Sequence, residues 1–584
     1  MKKINQFNTS LFIAIIILSS ALRLNNIGSH GLAGDEKYSL FVSQFVAYEG
    51  SNQHDSVRKP DSPYFTPKEF WSEKNIHDFF DAIARVDTGN GALYTFTLHY
   101  WSKFVGLADG NLRFLSLILN VLTVVLVYFF TKKHLKSESL ALIAMFLAAI
   151  SPFYITFSQV ARNYAMQYFF SLLATHIFLL ILESDNKKNK VLLYIFYGIV
   201  ALACELCHIS TFTLFFIHGL YLLLFHRKLA NLMGFGLAML IPFVGVLAWL
   251  FSDGGKWLFD YVANSTRVYN EMAQTNPDEF LSVATPLNII KQFRHVISCN
   301  FILLEGLYLK ISGIKNLVLF ASAAFGISIS NKFFSNTKYK NWLLFSEIVV
   351  FGVLVFLVFP YMANVQNLVL FTNFLLFFEL ILRIRFNLNN SLHQNYLFLG
   401  MLSFLPFVFL AIFAIKDGNT FRIMPRYVGY SYAFGIVLVA SILRYLFNIA
   451  DTIKYYIFAG LFVQLFLIGR LIMQVWEDNP PRYFMTFAEP RKKNPYQEIA
   501  NNIVKNYAVG DTVLYCSTYL YPTSQGKDMP QYSVIDAQLT NFYLPKNAEI
   551  IQRVNQQEKD KIFIKNAKGE LREVFDFEGV RYRY

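Results

Sequence analysis

The sequence predicts a polytopic α-helical membrane protein with a small α/β unit at its end. Three observations predict it: apolar residues gathered into long blocks, little charge, and cationic loops that alternate along the chain. Hydrophobic residues make up 55% of the 584-residue chain and charged residues 16%, with a mean hydropathy of +0.37. A soluble domain carries about 45–50% apolar and roughly 25% charged residues. The surplus falls in continuous Leu/Ile/Phe/Val runs of about 17–22 residues, long enough to cross a hydrocarbon layer of roughly 30 Å. Only helices and closed barrels satisfy their backbone there, and continuous runs rather than alternating segments select helices.

About thirteen spans are expected, near 8–24, 112–131, 139–157, 164–183, 191–207, 209–225, 230–251, 312–330, 342–360, 366–385, 395–415, 427–447 and 454–474. Met1-Lys2-Lys3 followed by Leu11–Leu24 reads as an uncleaved first span rather than a removed signal. One set of short loops carries Lys132, Lys133 and Lys136; Lys187, Lys188 and Lys190; Arg227 and Lys228; Lys332, Lys338 and Lys340; Arg383 and Arg385; and Arg444 with Lys454. The opposite loops carry almost none. The positive-inside rule then puts the N-terminus in the cytoplasm and 25–111, 252–311 and 476–584 outside it, as expected for a multi-pass protein of the inner (cytoplasmic) membrane. The net charge of +13 is thus a topology signal and not a nucleic-acid footprint. Cys204, Cys207, Cys299 and Cys516 are too few for a disulfide framework, and the first two read as core.

Two domains are expected: a transmembrane domain, 1–475, and an extracytoplasmic α/β domain, 476–584. In the first outer loop, 25–111, residues 36–49 put Tyr38, Phe41, Val42, Phe45 and Val46 on one face, as in a helix lying in the membrane interface; 93–105 reads as a second. Residues 252–311 form a second large outer loop. Beyond Trp476, Asn479-Pro480-Pro481 and Glu489-Pro490 punctuate a linker. Tyr496–Tyr507 reads as a helix, Gly510-Asp511 as a turn and Thr512–Cys516 as a strand. No Walker A loop, dinucleotide fingerprint or H-E-x-x-H zinc motif occurs.

Candidate chemistry gathers at the outer ends of the spans. Asp35 and Glu36 follow Gly34; they suit a helix start, and equally a general base at the membrane surface. Arg162, within Ser158-Gln159-Val160-Ala161-Arg162-Asn163-Tyr164, and Arg426, beside Tyr427, stand on the side that the positive-inside bias leaves bare. Each reads either as a snorkelling cation or as a phosphate-binding guanidinium. His208 ends the fifth span, and Arg113 starts the second from outside.

In these residues the chain is similar to the bacterial GT-C glycosyltransferases, among them the protein O-mannosyltransferases, the lipid A aminoarabinose transferases and the Rgt-type sugar transferases. Arg23 and Gly34-Asp35-Glu36 resemble the first-loop Asp-Glu motif, and Leu93-Tyr94 with Trp101 the stretch that follows. Leu112–Ser116 resembles the Arg-Leu-Pro-Ser start of the second span. Ser158-Gln159, Ala161-Arg162 and Tyr164-Ala165 resemble Ser-Gln-Glu-Ala-Arg-x-Tyr-Ala; His208 and Arg426-Tyr427 match later positions. Val160 replaces the usual acid, and Gly91-Ala92 stands where Pro-Pro is common.

The resemblance implies a cell-envelope hexosyl- or pentosyltransferase. It would move sugar from a polyprenyl-phosphate donor to a glycan, glycolipid or protein acceptor, with inversion. Asp35 would be the base and Glu36 its orienting or substrate-binding neighbour. Arg113, Gln159, Arg162, Tyr164, His208, Arg426 and Tyr427 would bind substrate or phosphate. No metal ligand is assigned, and a divalent cation stays open without a clear ligand set. The rival expectations are a lipid-linked sugar flippase, which also needs many spans and cationic sites, and a non-catalytic membrane assembly protein.

Overall fold

A computed structural model describes residues 2–47, 66–86, 90–278, 281–306, 313–334, 337–358, 361–385, 387–449, 451–479, 489–516, 521–522, 528–529, 531–555 and 560–584. Residues 48–49 of the first expected interfacial helix, Pro480-Pro481 of the linker and the ends of the spans at 312 and 359–360 lie outside these.

Each expected span is represented by helix. Among the described residues, nine helices are long and apolar enough to cross a membrane, ten if one bent pair counts as a single span. The expected thirteen are therefore not reached by length and composition; the segments at 209–225 and 312–330 yield shorter apolar helices, Ile209–Phe225 and Leu317–Phe333. The helix Ala92–Val105 has 14 residues. At 1.5 Å per residue it reaches only about 21 Å, too short to cross.

The bent pair positions the site. Helices Glu138–Ile150 and Pro152–Ser158 meet at 58°, because Pro152 cannot continue the hydrogen-bond ladder of the first helix and suits the first turn of the next. Opposite charges hold the two ends. Arg23, fully buried, donates from Nη1 to the Ala149 carbonyl (2.8 Å) and from Nη2 to that of Ala148 (3.1 Å), while its Nε reaches Asn120 Oδ1 (2.7 Å). Buried Glu305 accepts the Phe153 N–H at 3.0 Å. A cation thus sits on a helix C-terminus and an anion on a helix N-terminus, both favourable placements. The bend delivers the loop 159–163, where Gln159 Nε2 donates to the Arg23 and Asn25 carbonyls.

The carboxy-terminal unit has a four-stranded sheet in the order 552–555, 512–516, 561–565, 571–576. Strand Thr512–Cys516 pairs parallel with Gln552–Asn555 and antiparallel with Lys561–Lys565, which pairs antiparallel with Leu571–Asp576. Helices Tyr496–Asn506 and Gln531–Asn541 pack on the sheet. The unit shares one core with the first loop: Leu40, Phe41 and Phe70 cluster with Ile499, Val534 and Phe542. Phe41 stacks on Phe542 at 6.1 Å between ring centroids, and the Trp71 indole donates to the Asn541 carbonyl at 2.9 Å. Backbone pairing joins Gly31 N–H to the Lys492 carbonyl (2.9 Å). The expected interfacial helix is corrected accordingly. Helix Gly34–Ser43 ends earlier than expected, and the apolar positions Phe41, Val42, Phe45 and Val46 are buried by protein rather than by lipid.

Replacing Arg23 by Met should leave the Ala148 and Ala149 carbonyls without a donor in a buried bend. A loss of about 1–3 kcal/mol per orphaned group is expected, read as a lower thermal unfolding midpoint of the purified protein.

Candidate active site

Asp35 is the second residue of helix Gly34–Ser43, and Glu36 the third. In a helix, consecutive side chains point about 100° apart, and these two carboxylates meet opposite surroundings. Glu36 is fully buried. Its Oε1 accepts from Arg113 Nε and from the Ala161 N–H, each at 2.8 Å. Its Oε2 accepts from Arg113 Nη2 (2.9 Å), Arg491 Nη1 (2.9 Å) and the Ala33 N–H (2.8 Å). Burial would raise its pKa, but the guanidinium of Arg113, then that of Arg491, hold it down at about 2.

Asp35 faces a cavity of about 390 Å³ that Arg162, Tyr164, His208, Arg426 and Tyr427 also line. Its Oδ2 lies 3.5 Å from Arg426 Nη1. Arg162 enters from the loop delivered by the bend, with Nη1 3.4 Å from Ser39 Oγ, one turn along from Asp35. Arg426 belongs to the short helix Pro425–Val428; its guanidinium lies 5.1 Å from the Tyr427 ring centroid and donates to Tyr427 Oη at 3.2 Å. His208 stacks obliquely between Tyr164 (6.4 Å) and Tyr427 (5.7 Å). Its Nδ1 accepts the Ser210 N–H at 3.2 Å, so the neutral ring carries its proton on Nε2. Burial, then Arg426 and Arg162, push its pKa down to about 3, which keeps the ring uncharged at neutral pH.

Six of the nine expected site residues therefore meet in one cavity: Asp35, Arg162, Tyr164, His208, Arg426 and Tyr427. Glu36, Arg113 and Gln159 are not among its described lining residues: Glu36 and Arg113 pair with each other, and Gln159 bonds to the Arg23 and Asn25 carbonyls. Arg113 has no N–H to spare: besides Glu36, it donates to the carbonyls of Ile27 (2.9 Å), His30 (2.9 Å) and Gly31 (2.7 Å). Tyr94 and Ser116, both in motif stretches, bond to each other at 2.9 Å beneath the Arg162 loop. Gly91 has φ +74° as the cap of helix Ala92–Val105, a conformation closed to proline, which accounts for the departure from Pro-Pro there.

Sequence reasoning missed the rest of the wall. Leu258, Tyr261, Val262, Ser265 and Tyr269 present one face of helix Leu258–Thr275, and Pro406, Phe409, Leu410 and Phe413 present one face of Ser391–Asp417. Arg422 also lines the cavity, tied to Asp417 (3.1 Å) and Thr266 (3.2 Å). Arg491 and its partner Asp478 were missed too, although the Arg491-Lys492-Lys493 run follows soon after the last expected span. Asp35 is the one carboxylate among the described lining residues. No cluster of three or more His, Cys, Asp or Glu side chains among the described residues is placed to hold a metal ion.

Fold and site together define a polytopic helical membrane protein whose cavity brings one carboxylate, among the described lining residues, together with several arginines; its motifs resemble those of the GT-C membrane glycosyltransferases. Residues 84–258 match the family model for dolichyl-phosphate-mannose-protein mannosyltransferase, which bears out that resemblance. This stretch holds Arg113, Gln159, Arg162, Tyr164 and His208, but not Asp35 or Arg426. No curated protein sequence matches the chain. Solved structures of the *Archaeoglobus fulgidus* oligosaccharyltransferase are similar at low level. One, a complex with Zn and sulfate, is 14% identical with a TM-score of 0.42, covering 92% of this chain and 62% of its own. Another, AglB with an inhibitory peptide and a dolichol-phosphate, is 16% identical with a TM-score of 0.39, covering 93% of this chain and 65% of its own. The chain thus spans less than two thirds of the length of these proteins.

Glu36→Gln should destabilise the protein by about 3–5 kcal/mol, because it removes the carboxylate that pairs with buried Arg113 and one of the two that pair with Arg491. Since the folded Glu36 titrates near 2, below the unfolded value of about 4.3, its stabilisation is fully present above about pH 4.5 and is lost as pH falls toward 2. Thermal midpoints of the parent should fall across that window more steeply than those of Glu36→Gln.

Proposed function

We propose that the protein transfers a sugar from a polyprenyl-phosphate donor to an acceptor hydroxyl or amine, with inversion at the anomeric carbon. The observation that carries this reading is the convergence of Asp35 with Arg162, Arg426 and His208 on one cavity. In the reaction, the acceptor oxygen or nitrogen attacks the anomeric carbon and its proton passes to Asp35. The bond from that carbon to the phosphate oxygen breaks, and the phosphate leaves with the electron pair. Phosphate needs no acid to depart, so one carboxylate suffices, unlike the two of the glycosidases.

Arg162 and Arg426 hold the phosphate and offset the charge it gains, the interaction that most lowers such a barrier. Neutral His208 donates from Nε2 to the sugar or the phosphate. Arg426 has two contacts in this scheme: it lies 3.5 Å from Asp35, and next to the phosphate it stabilises the leaving group. Phe409 and Phe413, on a membrane helix, give the donor's isoprenoid chain an apolar path.

The positive-inside pattern supports a site at the outer face of the cytoplasmic membrane with the carboxy-terminal unit on that side. Alkaline phosphatase fused after Tyr584 should then be active, and a cytoplasm-specific reporter at the same point inactive.

Asp35→Asn in purified, folded protein should reduce transfer from polyprenyl-phosphate sugars by roughly 100-fold or more, the scale of a lost general base. It should leave the unfolding midpoint near the parent's. Arg162→Lys and Arg426→Lys should each lower kcat/KM by losing the planar fork on phosphate. Unchanged transfer in Asp35→Asn, or movement of lipid-linked sugar across vesicles without transfer, would refute the proposal.

A further inference from the structure

We infer that Arg491, contributed by the carboxy-terminal unit, is a positioning residue of the transfer reaction: by gripping Glu36 it fixes the direction in which Asp35 faces the cavity. The inference rests on the transfer reading above and adds to it a role for the last hundred or so residues.

The Arg491 side chain is only 11% exposed and bridges two separate parts of the fold. Its Nη1 donates to Glu36 Oε2 at 2.9 Å and to the Gly31 carbonyl at 3.0 Å. Its Nε and Nη2 grip Asp478 at 2.9 Å and 2.6 Å, and its backbone N–H donates to the same carboxylate at 2.6 Å. Asp478 lies two residues beyond the last membrane helix, Ile453–Trp476. The guanidinium therefore fastens the end of that helix to the helix that carries the base.

Asp35 and Glu36 are adjacent on one short helix, so any rotation of Gly34–Ser43 about its axis that moves Glu36 turns Asp35 by the same angle. Arg113 holds Glu36 from the membrane domain, and Arg491 holds the same Oε2 from the carboxy-terminal unit. The two guanidinium groups hold the angle from different parts of the fold; without Arg491, Glu36 keeps Arg113 and the Ala33 and Ala161 N–H groups but loses its hold from the carboxy-terminal unit. The quantity at stake is the 3.5 Å approach of Asp35 to Arg426. Lysine cannot replace Arg491, because a single ammonium cannot keep both carboxylates in the fork arrangement.

The test uses the full chain in nanodiscs with a polyprenyl-phosphate sugar. Arg491→Lys should lower kcat roughly 10- to 100-fold, the effect of a small misplacement of a reacting group. The donor KM should change by less than about threefold, because Arg162 and Arg426 are untouched. In an Asp35→Asn background the same substitution should have no further effect. Lys492→Ala, whose side chain pairs with Glu578 (3.2 Å) rather than with Glu36, should keep the parental kcat.

A second readout needs no donor. The four native cysteines are buried, so the thiol introduced by Asp35→Cys is the one an anionic alkylating reagent reaches, and adding Arg491→Lys should change its alkylation rate several-fold. Asp478→Asn, which loosens the same guanidinium, should repeat both effects and serves if Arg491→Lys does not fold. Parental kcat and alkylation rate in folded Arg491→Lys, or a loss of kcat as large in the Asp35→Asn background as in the parent, would overturn the inference. A parent chain inactive with every polyprenyl-phosphate sugar would instead refute the transfer reading, and the alkylation rates alone would then decide whether Arg491 orients residue 35.

Discussion

The buried carboxylate of Glu36 is the interaction on which the site depends. A lone charge in such a place would carry a large desolvation penalty, and here five donors compensate it. They come from the helix start itself, from a membrane helix, from the loop behind the Pro152 bend and from the carboxy-terminal unit. Satisfying one carboxylate therefore brings four parts of the chain to one point. The next residue along the helix, Asp35, is presented to the cavity by the same contacts. Rigidity in one acid and availability in its neighbour arise from a single short helix.

The cavity combines charged and apolar lining. Asp35, Arg162, His208, Arg422 and Arg426 line it together with largely aromatic and aliphatic residues from helices Leu258–Thr275 and Ser391–Asp417. Arginines beside an apolar wall act in a poorly screened medium, where their field on a phosphate is stronger than in water. The His208 ring, neutral because burial and then those same arginines disfavour its charged form, adds a hydrogen-bond donor without adding to the repulsion between cations.

Much of this was legible in the sequence. Helix length and composition announce the spans, and cations in a set of loops otherwise almost bare of them mark Arg162 and Arg426. Adjacency hides the surroundings of Asp35 and Glu36: neighbouring acids look alike in a sequence, and the 100° between helical side chains turns one to the cavity and the other to buried guanidinium groups. Arg113 misled for a similar reason, since an arginine at a span's outer end looks the same whether its donors are free or all committed. The interfacial helix was misjudged because an apolar face names no partner, and Phe542, more than 490 residues away, covers what lipid was expected to cover. The wall from 258–275 left no motif, because a lining face of Leu, Tyr and Val is written in the same residues as any amphipathic helix. Arg491 lay in a stretch read as a linker.

The bend at Pro152 is gripped by Arg23 from the first helix and by Glu305 from the middle of the chain, and the Glu36 cluster closes with Arg491. Synthesis supplies these residues in that order, so Arg491 is the last of the Glu36 partners to be made. A chain that stops short of it lacks the hold on Glu36 from the carboxy-terminal unit. Biogenesis is thereby coupled to competence: a chain arrested after its last hydrophobic segment is inserted, yet its hub is left open on one side.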